Sequence, residues 1–317
     1  MFKESKIFIA GGSGLLGNAL IKELRGAGYE NLLTPGHEKL DLLDKGAVFN
    51  FFTENRPDYV FLAAGKVGGI ASNKQYPADY LHVNLGLQDN IFEAACEFEV
   101  KNVVFYGSSC SYPKFSEQPI KEEYFLTGAI EQTSQGYAAA KIAGIVACRA
   151  YNQQYGNRRF IALLPNSMYG AYDNFDLASS HVLSALMRRF YEAKINNLEN
   201  IELWGSGNVR REFIFSEDVA KASIFAIDNV EKMENCHYNV GSSVDYSIKE
   251  LAAKIASVVG YEGGISWDTS KPDGTARKLL DSSRFLGLGW GPEVSFEDGL
   301  NITYDWFKEN YANIVNR

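Results

Sequence analysis

Tyr137-Ala-Ala-Ala-Lys141 sets a phenol and an ammonium four residues apart. On a helix that spacing puts both on one face with neighbouring tips. A nearby cation favours the phenolate, so the pair predicts a tyrosine of lowered pKa that exchanges a proton with a substrate oxygen near neutral pH. Upstream stands Gly107-Ser108-Ser109-Cys110. A hydroxyl at Ser108, at the carboxyl end of a parallel strand, would hydrogen-bond the same oxygen. Gly11, Gly14 and Gly17 complete the set as a GxxGxxG loop close to the first residue. Small residues there let a pyrophosphate approach backbone N–H groups and the positive end of a helix dipole. Each element alone is weak, because a glycine turn or a Tyr-Lys pair on a helix surface is common. Glycine loop, serine pair and YxxxK in that order form a joint signal for proton transfer beside a bound dinucleotide.

The elements that must position these groups follow from hydrophobic periodicity. Lys6 to Ala10 is an apolar run ending at the glycines, and Leu15, Leu16, Ala19, Leu20 and Leu24 follow at helical spacing, which predicts strand, turn and helix. Short buried runs recur at Leu32 to Thr34, Tyr59 to Ala64, Val103 to Ser108 and Phe160 to Leu164, separated by helical stretches such as Val48 to Phe52 and Leu85 to Cys96. That alternation predicts an α/β fold with a Rossmann-type doubly wound parallel sheet. After Pro165 the rhythm changes, with a helix near His181 to Ala193, a strand at Ile201 to Trp204, and helices near Ser247 to Val258 and Phe296 to Lys308. We expect a dinucleotide-binding domain over residues 1–165 and a smaller C-terminal α/β substrate-binding domain over 166–317. Phe213 to Ala226 and Tyr238 to Gly241, within 213–241, are expected to return to the main sheet.

Composition narrows the partners. Of 317 residues 46% are hydrophobic and 22% charged, with a formal net charge of -8. With no long Lys/Arg run, neither nucleic acid nor an anionic membrane is an expected partner, and an anionic ligand must be caught by local donors. Cys96, Cys110, Cys148 and Cys236 lie far apart without a CxxC pair, which predicts a reducing compartment, the cytoplasm, and no zinc or other metal site. The apolar run before the glycines is too short for a signal peptide or a membrane span. At the end of the second strand, Asn31-Leu-Leu-Thr34-Pro-Gly-His37 carries no acid, and His37 and Lys39 follow with Glu38 between them. An acid there takes the ribose hydroxyls of NAD, so its absence favours NADP.

Longer strings carry a more specific likeness: KVGGI at Lys66 to Ile70, YPADY at Tyr76 to Tyr80, GSSCSYPK at Gly107 to Lys114, YAAAKIAG at Tyr137 to Gly144 and SHV at Ser180 to Val182. WGSG at Trp204 to Gly207, RREF at Arg210 to Phe213 and KPDGTARKLLD at Lys271 to Asp281 extend it over nearly the whole chain. With these strings the chain resembles the GDP-L-fucose synthase family of the extended short-chain dehydrogenase/reductase superfamily. The resemblance implies NADP(H) as cofactor, a GDP-4-keto sugar as substrate and a homodimer built on helices of the main domain. It implies a reductase triad of Ser108, Tyr137 and Lys141, and an epimerisation pair of Cys110 and His181. Ser109, Arg189, Trp204, Arg211 and Lys278 would hold the GDP-sugar. The cofactor would lie along Gly11, Ser13, Gly14, Leu15, Leu16, Gly17, His37, Leu62, Ala63, Ala64, Lys141, Pro165, Ser167 and Met168.

By residue type alone Cys110 reads first as a buried inert thiol and His181 as a helix-terminus histidine satisfied by backbone. Arg189 and Arg211 could equally be solvated salt-bridge partners, and Trp204 a core residue. The chain also departs from the family pattern. It reads Glu131-Gln-Thr-Ser-Gln-Gly-Tyr137 for EPTNEPY, Pro165-Asn-Ser-Met-Tyr-Gly170 for PTNLYG, Ser111 for a common isoleucine, and Ser13 and His37 where many bacterial members carry arginine. A C4-reductase of another GDP-4-keto sugar, such as a heptose, is therefore the alternative. A 4,6-dehydratase is disfavoured, because it needs a carboxylate beside the strand-four hydroxyl where this chain has Ser109 and Cys110.

Overall fold

β1 (Ile7–Ala10) is apolar at every position because both its faces are covered: Ile7 and Ile9 enter one core, Phe8 and Ala10 another. The computed structural model describes residues 1–156, 159–271 and 273–315. After β1 come α1 (Leu15–Gly26), β2 (Leu32–Leu33), α2 (Lys45–Asn55), β3 (Tyr59–Leu62), α3 (Ile70–Gln75), α4 (Pro77–Glu97), β4 (Asn102–Tyr106), α5 (Gln135–Tyr155) and β5 (Phe160–Pro165). There follow β6 (Ser167–Tyr169), α6 (Val182–Ile195), β7 (Asn200–Trp204), β8 (Arg210–Phe215), α7 (Ser216–Asp228) and β9 (His237–Val240). The last elements are β10 (Asp245–Ser247), α8 (Ile248–Val259), β11 (Gly264–Asp268), β12 (Arg277–Lys278), α9 (Ser283–Leu286) and α10 (Phe296–Val315).

The main sheet has six parallel strands in the order β2-β1-β3-β4-β5-β9. Because β2 lies on one side of β1 and β3 on the other, the chain reverses direction across the sheet at β1, which opens a crevice beyond the strand carboxyl ends. Leu16, Leu20 and Leu24 of α1 and Val219, Ala222 and Ala226 of α7 cover one face. Val48 and Phe52 of α2, Ile91 and Phe92 of α4, and Ile145 and Cys148 of α5 cover the other. Among the described residues no helix is long and apolar enough to cross a membrane.

A third core joins α6, α8 and α10 to β8, through Met187, Phe190, Leu251, Ile255, Leu300 and Phe307. Here the structure differs from the expectation that Phe213 begins a return to the main sheet. α7 does pack on that sheet and β9 does extend it, but β8 pairs with β6, β10 and β12 in a separate sheet. Phe213 and Phe215 point into the third core while Ile214 enters the first. A strand apolar on both sides reads the same whichever sheet receives it, so periodicity could not choose. A parallel pair, β7 with β11, forms the outer edge of this second half.

Candidate active site

The glycine loop is built by close approach. Gly11 has φ +87, and a Cβ there would lie 2.6 Å from the Ala64 nitrogen. A Cβ on Gly17 would lie 2.1 Å from the Gly11 carbonyl oxygen, so α1 can rise directly from the loop only with glycine there. No side chain caps α1, and its first-turn N–H groups, at Leu15, Leu16 and Gly17, point out of the helix end. Leu16 and Leu62 are themselves buried in the cores, so only their backbones can serve a ligand. Ser13 is exposed and Gly14 is the N-cap residue, while Ala63 and Ala64 continue β3 against Gly11. Thr34, directly after β2, lies against Gly12, and exposed His37 follows with Nδ1 3.9 Å from the Asp41 carboxylate. Pro165 ends β5, and Ser167 and Met168 stand half-buried on β6.

α5 sits tightly on β4 because Gly144 leaves room for the Phe105 ring, where a Cβ would come within 2.3 Å. That packing delivers Lys141, buried, to the Tyr106 carbonyl, to which Nζ donates at 2.8 Å. Burial brings the Lys141 pKa down to about 8. One turn earlier Tyr137 hydrogen-bonds Ser108 and takes an edge contact from Tyr80, with centroids 6.3 Å apart. The expectation of a lowered tyrosine pKa is corrected here. Burial, then the neighbouring Cys110 and Tyr80, drive the phenol well above its ordinary range, and the Ser108 hydrogen bond opposes them. Lys141 Nζ is 5.9 Å from the Tyr137 ring centre and spends its proton on a carbonyl.

Two residues past β4, Ser108 is in extended backbone and caps a short turn, Ser109–Ser111, its Oγ accepting from the Cys110 N–H at 3.2 Å. Ser109 is half-buried in that turn. Lys278 Nζ donates to Cys110 Sγ at 3.5 Å. Burial pushes the Cys110 thiol up, but the Lys278 charge and hydrogen bonds from Ser108, Lys278 and Ser134 outweigh it, and the net shift is downward. Arg211 lies beside Lys278 in the β8–β12 register and donates to the carbonyls of Arg210 and Thr275 at 2.7 Å each. Burial lowers the Arg211 pKa, opposed by Cys110. Ser108, Tyr137, Cys110, Arg211 and Lys278 thus converge.

Other expected residues stand on separate elements. His181 is the exposed N-cap residue of α6 and makes no side-chain cap bond. The residues before it are seated on the KVGGI loop, where the Gly69 N–H donates to the Ser179 carbonyl at 3.0 Å. Arg189 is half-buried on α6; Trp204, 67% exposed at the end of β7, has Lys271 Nζ 5.7 Å above its ring. Pro272 of the KPDGTARKLLD string lies outside the described residues.

Three polar features escaped the sequence reading. Asp173 takes a hydrogen bond from Ser184; burial raises its pKa, with that bond and the His181 charge opposing. Nothing in the sequence spacing marks it as a neighbour of His181. Glu212 is fully buried and accepts from Asn166 Nδ2 at 2.7 Å, Ser243 N–H at 2.7 Å and Leu280 N–H at 2.9 Å. It ties the exit of β5 to the chain after β9 and after β12. Glu212→Ala strands those donors, and we expect a loss of about 3 kcal/mol or more in urea unfolding. The third feature anchors the end of the Ser109–Ser111 turn: Tyr112 OH meets His237 Nε2 at 2.8 Å and donates to Asn239 Oδ1 at 2.6 Å, and Arg149 Nη2 faces His237 Nδ1. A guanidinium can only donate, so Nδ1 accepts and Nε2 carries the proton. Burial, then Arg149 and Arg284, hold the His237 pKa down to about 3.

Comparison with known proteins places the chain among its relatives. The NAD dependent epimerase/dehydratase family matches residues 7–241. GDP-L-fucose synthase 1 of Arabidopsis thaliana is 49% identical over 311 residues, covering 98% of this chain and 95% of that protein. Among solved structures, a GDP-6-OMe-4-keto-L-xylo-heptose reductase from C. jejuni superposes with a TM-score of 0.91 at 38% identity, covering 98% and 99% of the two chains. A GDP-L-fucose synthetase from Naegleria fowleri bound to NADP superposes with a TM-score of 0.90 at 27% identity, covering 98% and 96%. By sequence, fold and the residues gathered at the strand ends, the chain belongs to the NAD dependent epimerase/dehydratase family and, within it, to the GDP-L-fucose synthases.

Proposed function

We propose that the protein is an NADPH-dependent 3,5-epimerase and 4-reductase of a GDP-4-keto-6-deoxyhexose. The observation that carries this reading is one short turn that presents the Ser108 hydroxyl to Tyr137 and the Cys110 thiol to Lys278. The tight loop that Gly11 and Gly17 close leads into the uncapped N-terminus of α1, which fits a pyrophosphate, with Ser13, Gly14, Leu15 and Leu16 around it and His37 toward the 2′-phosphate. Leu62, Ala63, Ala64, Pro165, Ser167, Met168 and Lys141 line the remaining path of the cofactor. NADP(H), when bound, supplies the hydride for C4.

A ketone at C4 acidifies the protons at C3 and C5. Cys110, from the turn after β4, and His181, from the start of α6, remove and return those protons, while Ser108 and Tyr137 hydrogen-bond the C4 oxygen as it gains charge. After hydride transfer that oxygen is an alkoxide, far more basic than a phenolate, so Tyr137 gives up its proton downhill even from a raised pKa. Ser109, Arg189, Trp204, Arg211 and Lys278 hold the GDP-sugar, the arginines suited to a diphosphate and the exposed indole to a flat ring. Cofactor binding falls to residues 1–165 and sugar binding mainly to 166–317. The enzyme works in the cytoplasm as a homodimer, in which exposed Leu81 and Val146 and the shallow groove along α4 and α5 at Leu85, Ala143 and Ala147 are covered by the partner.

Incubation with GDP-4-keto-6-deoxymannose and NADPH in D2O is expected to consume NADPH and to place deuterium at C3 and C5. Absence of turnover rules out this substrate. The likeness to the C. jejuni heptose reductase supports a second reading, a C4-reductase of a GDP-4-keto-heptose. That enzyme would turn over the heptose ketone faster and show little solvent exchange.

A further inference from the structure

β8 and β12 run side by side with Arg210 opposite Arg277 and Arg211 opposite Lys278. Each is a pair of like charges on neighbouring strands, an arrangement that costs stability unless a counter-ion intervenes. The first pair has one: Asp245 takes Nε of Arg210 at 3.1 Å on one oxygen and Nε of Arg277 on the other. For the second pair no ion pair with a carboxylate occurs among the described residues. Arg211 donates to backbone carbonyls, and Lys278 Nζ meets the sulfur of Cys110 at 3.5 Å. The groups that face this sulfur from the surrounding elements are the Ser108 and Ser134 hydroxyls, the Tyr137 phenol and the two cations. All of them are hydrogen-bond donors or positive charges.

We propose that Lys278 keeps Cys110 in its thiolate form before substrate arrives, the sulfur serving this cation pair as the carboxylate of Asp245 serves the arginines next to it. A cation in contact lowers the cost of the thiolate, which is the form that accepts a proton. The purpose of the pair, though not the pair itself, rests on Cys110 being a proton carrier in epimerisation. Before the GDP-sugar reaches it, Lys278 then acts through the sulfur as a positioning residue. Electrostatics points the same way, since the Cys110 pKa is lowered in spite of burial, whereas burial raises that of Cys96, Cys148 and Cys236.

The test is iodoacetamide alkylation of the full chain without substrate, with each cysteine peptide followed by mass spectrometry over about pH 5–10. Cys110 is expected to react with a midpoint below that of free cysteine. Lys278→Met should raise that midpoint by at least about one pH unit, a roughly tenfold loss of reactivity in slightly acidic buffer. Lys278→Arg, which keeps the charge, should restore it. Equal midpoints in the wild type and Lys278→Met overturn the proposal, as does a wild-type midpoint at or above that of free cysteine. If Lys278→Met does not fold, the wild-type profile alone decides. Should the profile hold while no GDP-4-keto sugar is turned over, the proposed reaction fails and the Lys278–Cys110 pair stands.

Discussion

Tyr137→Phe is expected to lower turnover by about two orders of magnitude or more. The substitution removes one oxygen from a ring already fixed by Tyr80 and the start of α5, so the fold and the glycine loop stay as they are. On the proposed mechanism, what is lost is the acidic proton that Tyr137, hydrogen-bonded to Ser108, would deliver to the C4 oxygen. Hydride transfer would then leave an alkoxide whose nearest donor is a serine hydroxyl, a far weaker acid. The enolate of the epimerisation step loses the same hydrogen bond, so deuterium uptake at C3 and C5 should fall together with NADPH consumption. Single-turnover kinetics separate this from weaker binding: the chemical step should slow with NADPH affinity unchanged. Turnover within a few-fold of the wild type would remove Tyr137 from the proton path.

Lys141→Met should also abolish most activity, and its effect on stability carries an opposite and less usual sign. Burial holds the folded-state pKa of Lys141 at about 8, below the unfolded value near 10.5. Between those values the unfolded chain binds the extra proton, so the contribution of this lysine to stability rises with pH. Below the lower value its full penalty applies, up to about 3 kcal/mol. Methionine keeps the packing against Phe105 and has no charge to bury. The variant should therefore compare best with the wild type at neutral pH and lose up to about 3 kcal/mol of that relative standing by the upper end of the window. Urea unfolding of both proteins at several pH values measures it. A difference independent of pH would show that the lysine is not strained by burial, and that the cost accepted for function lies elsewhere.

Much of the frame was legible because it rests on local rules. Gly11 and Gly17 were legible as a tight turn, to which the structure adds the backbone contacts that exclude a Cβ, and the helix that follows them announces itself by its leucines. Tyr137 and Lys141 share a helix, and Ser108 sits where a strand must end, so their meeting needed only the parallel topology. The less legible features depend on which distant segments meet. β8 could not be assigned to its sheet, since Phe213, Ile214 and Phe215 satisfy two cores at once. Glu212 stands between arginine and phenylalanine in sequence with nothing to mark it, while its donors come from Asn166, Ser243 and Leu280. The sign of the Tyr137 shift was misjudged for the same reason: helical spacing tells which groups are near, and depth below the surface decides which form is favoured.

Because β8 gives Ile214 to one core and Phe213 and Phe215 to another, the two halves of this protein are not interchangeable parts. A chimera that grafts a foreign second half, the one proposed to bind the sugar, onto this first half would inherit a strand cut to fit someone else's interior on its hidden side. Substrate preference in such a scaffold is more easily redirected through loops and strand ends, such as the turn after Ser108 or the exposed face at Trp204, than by trading whole modules.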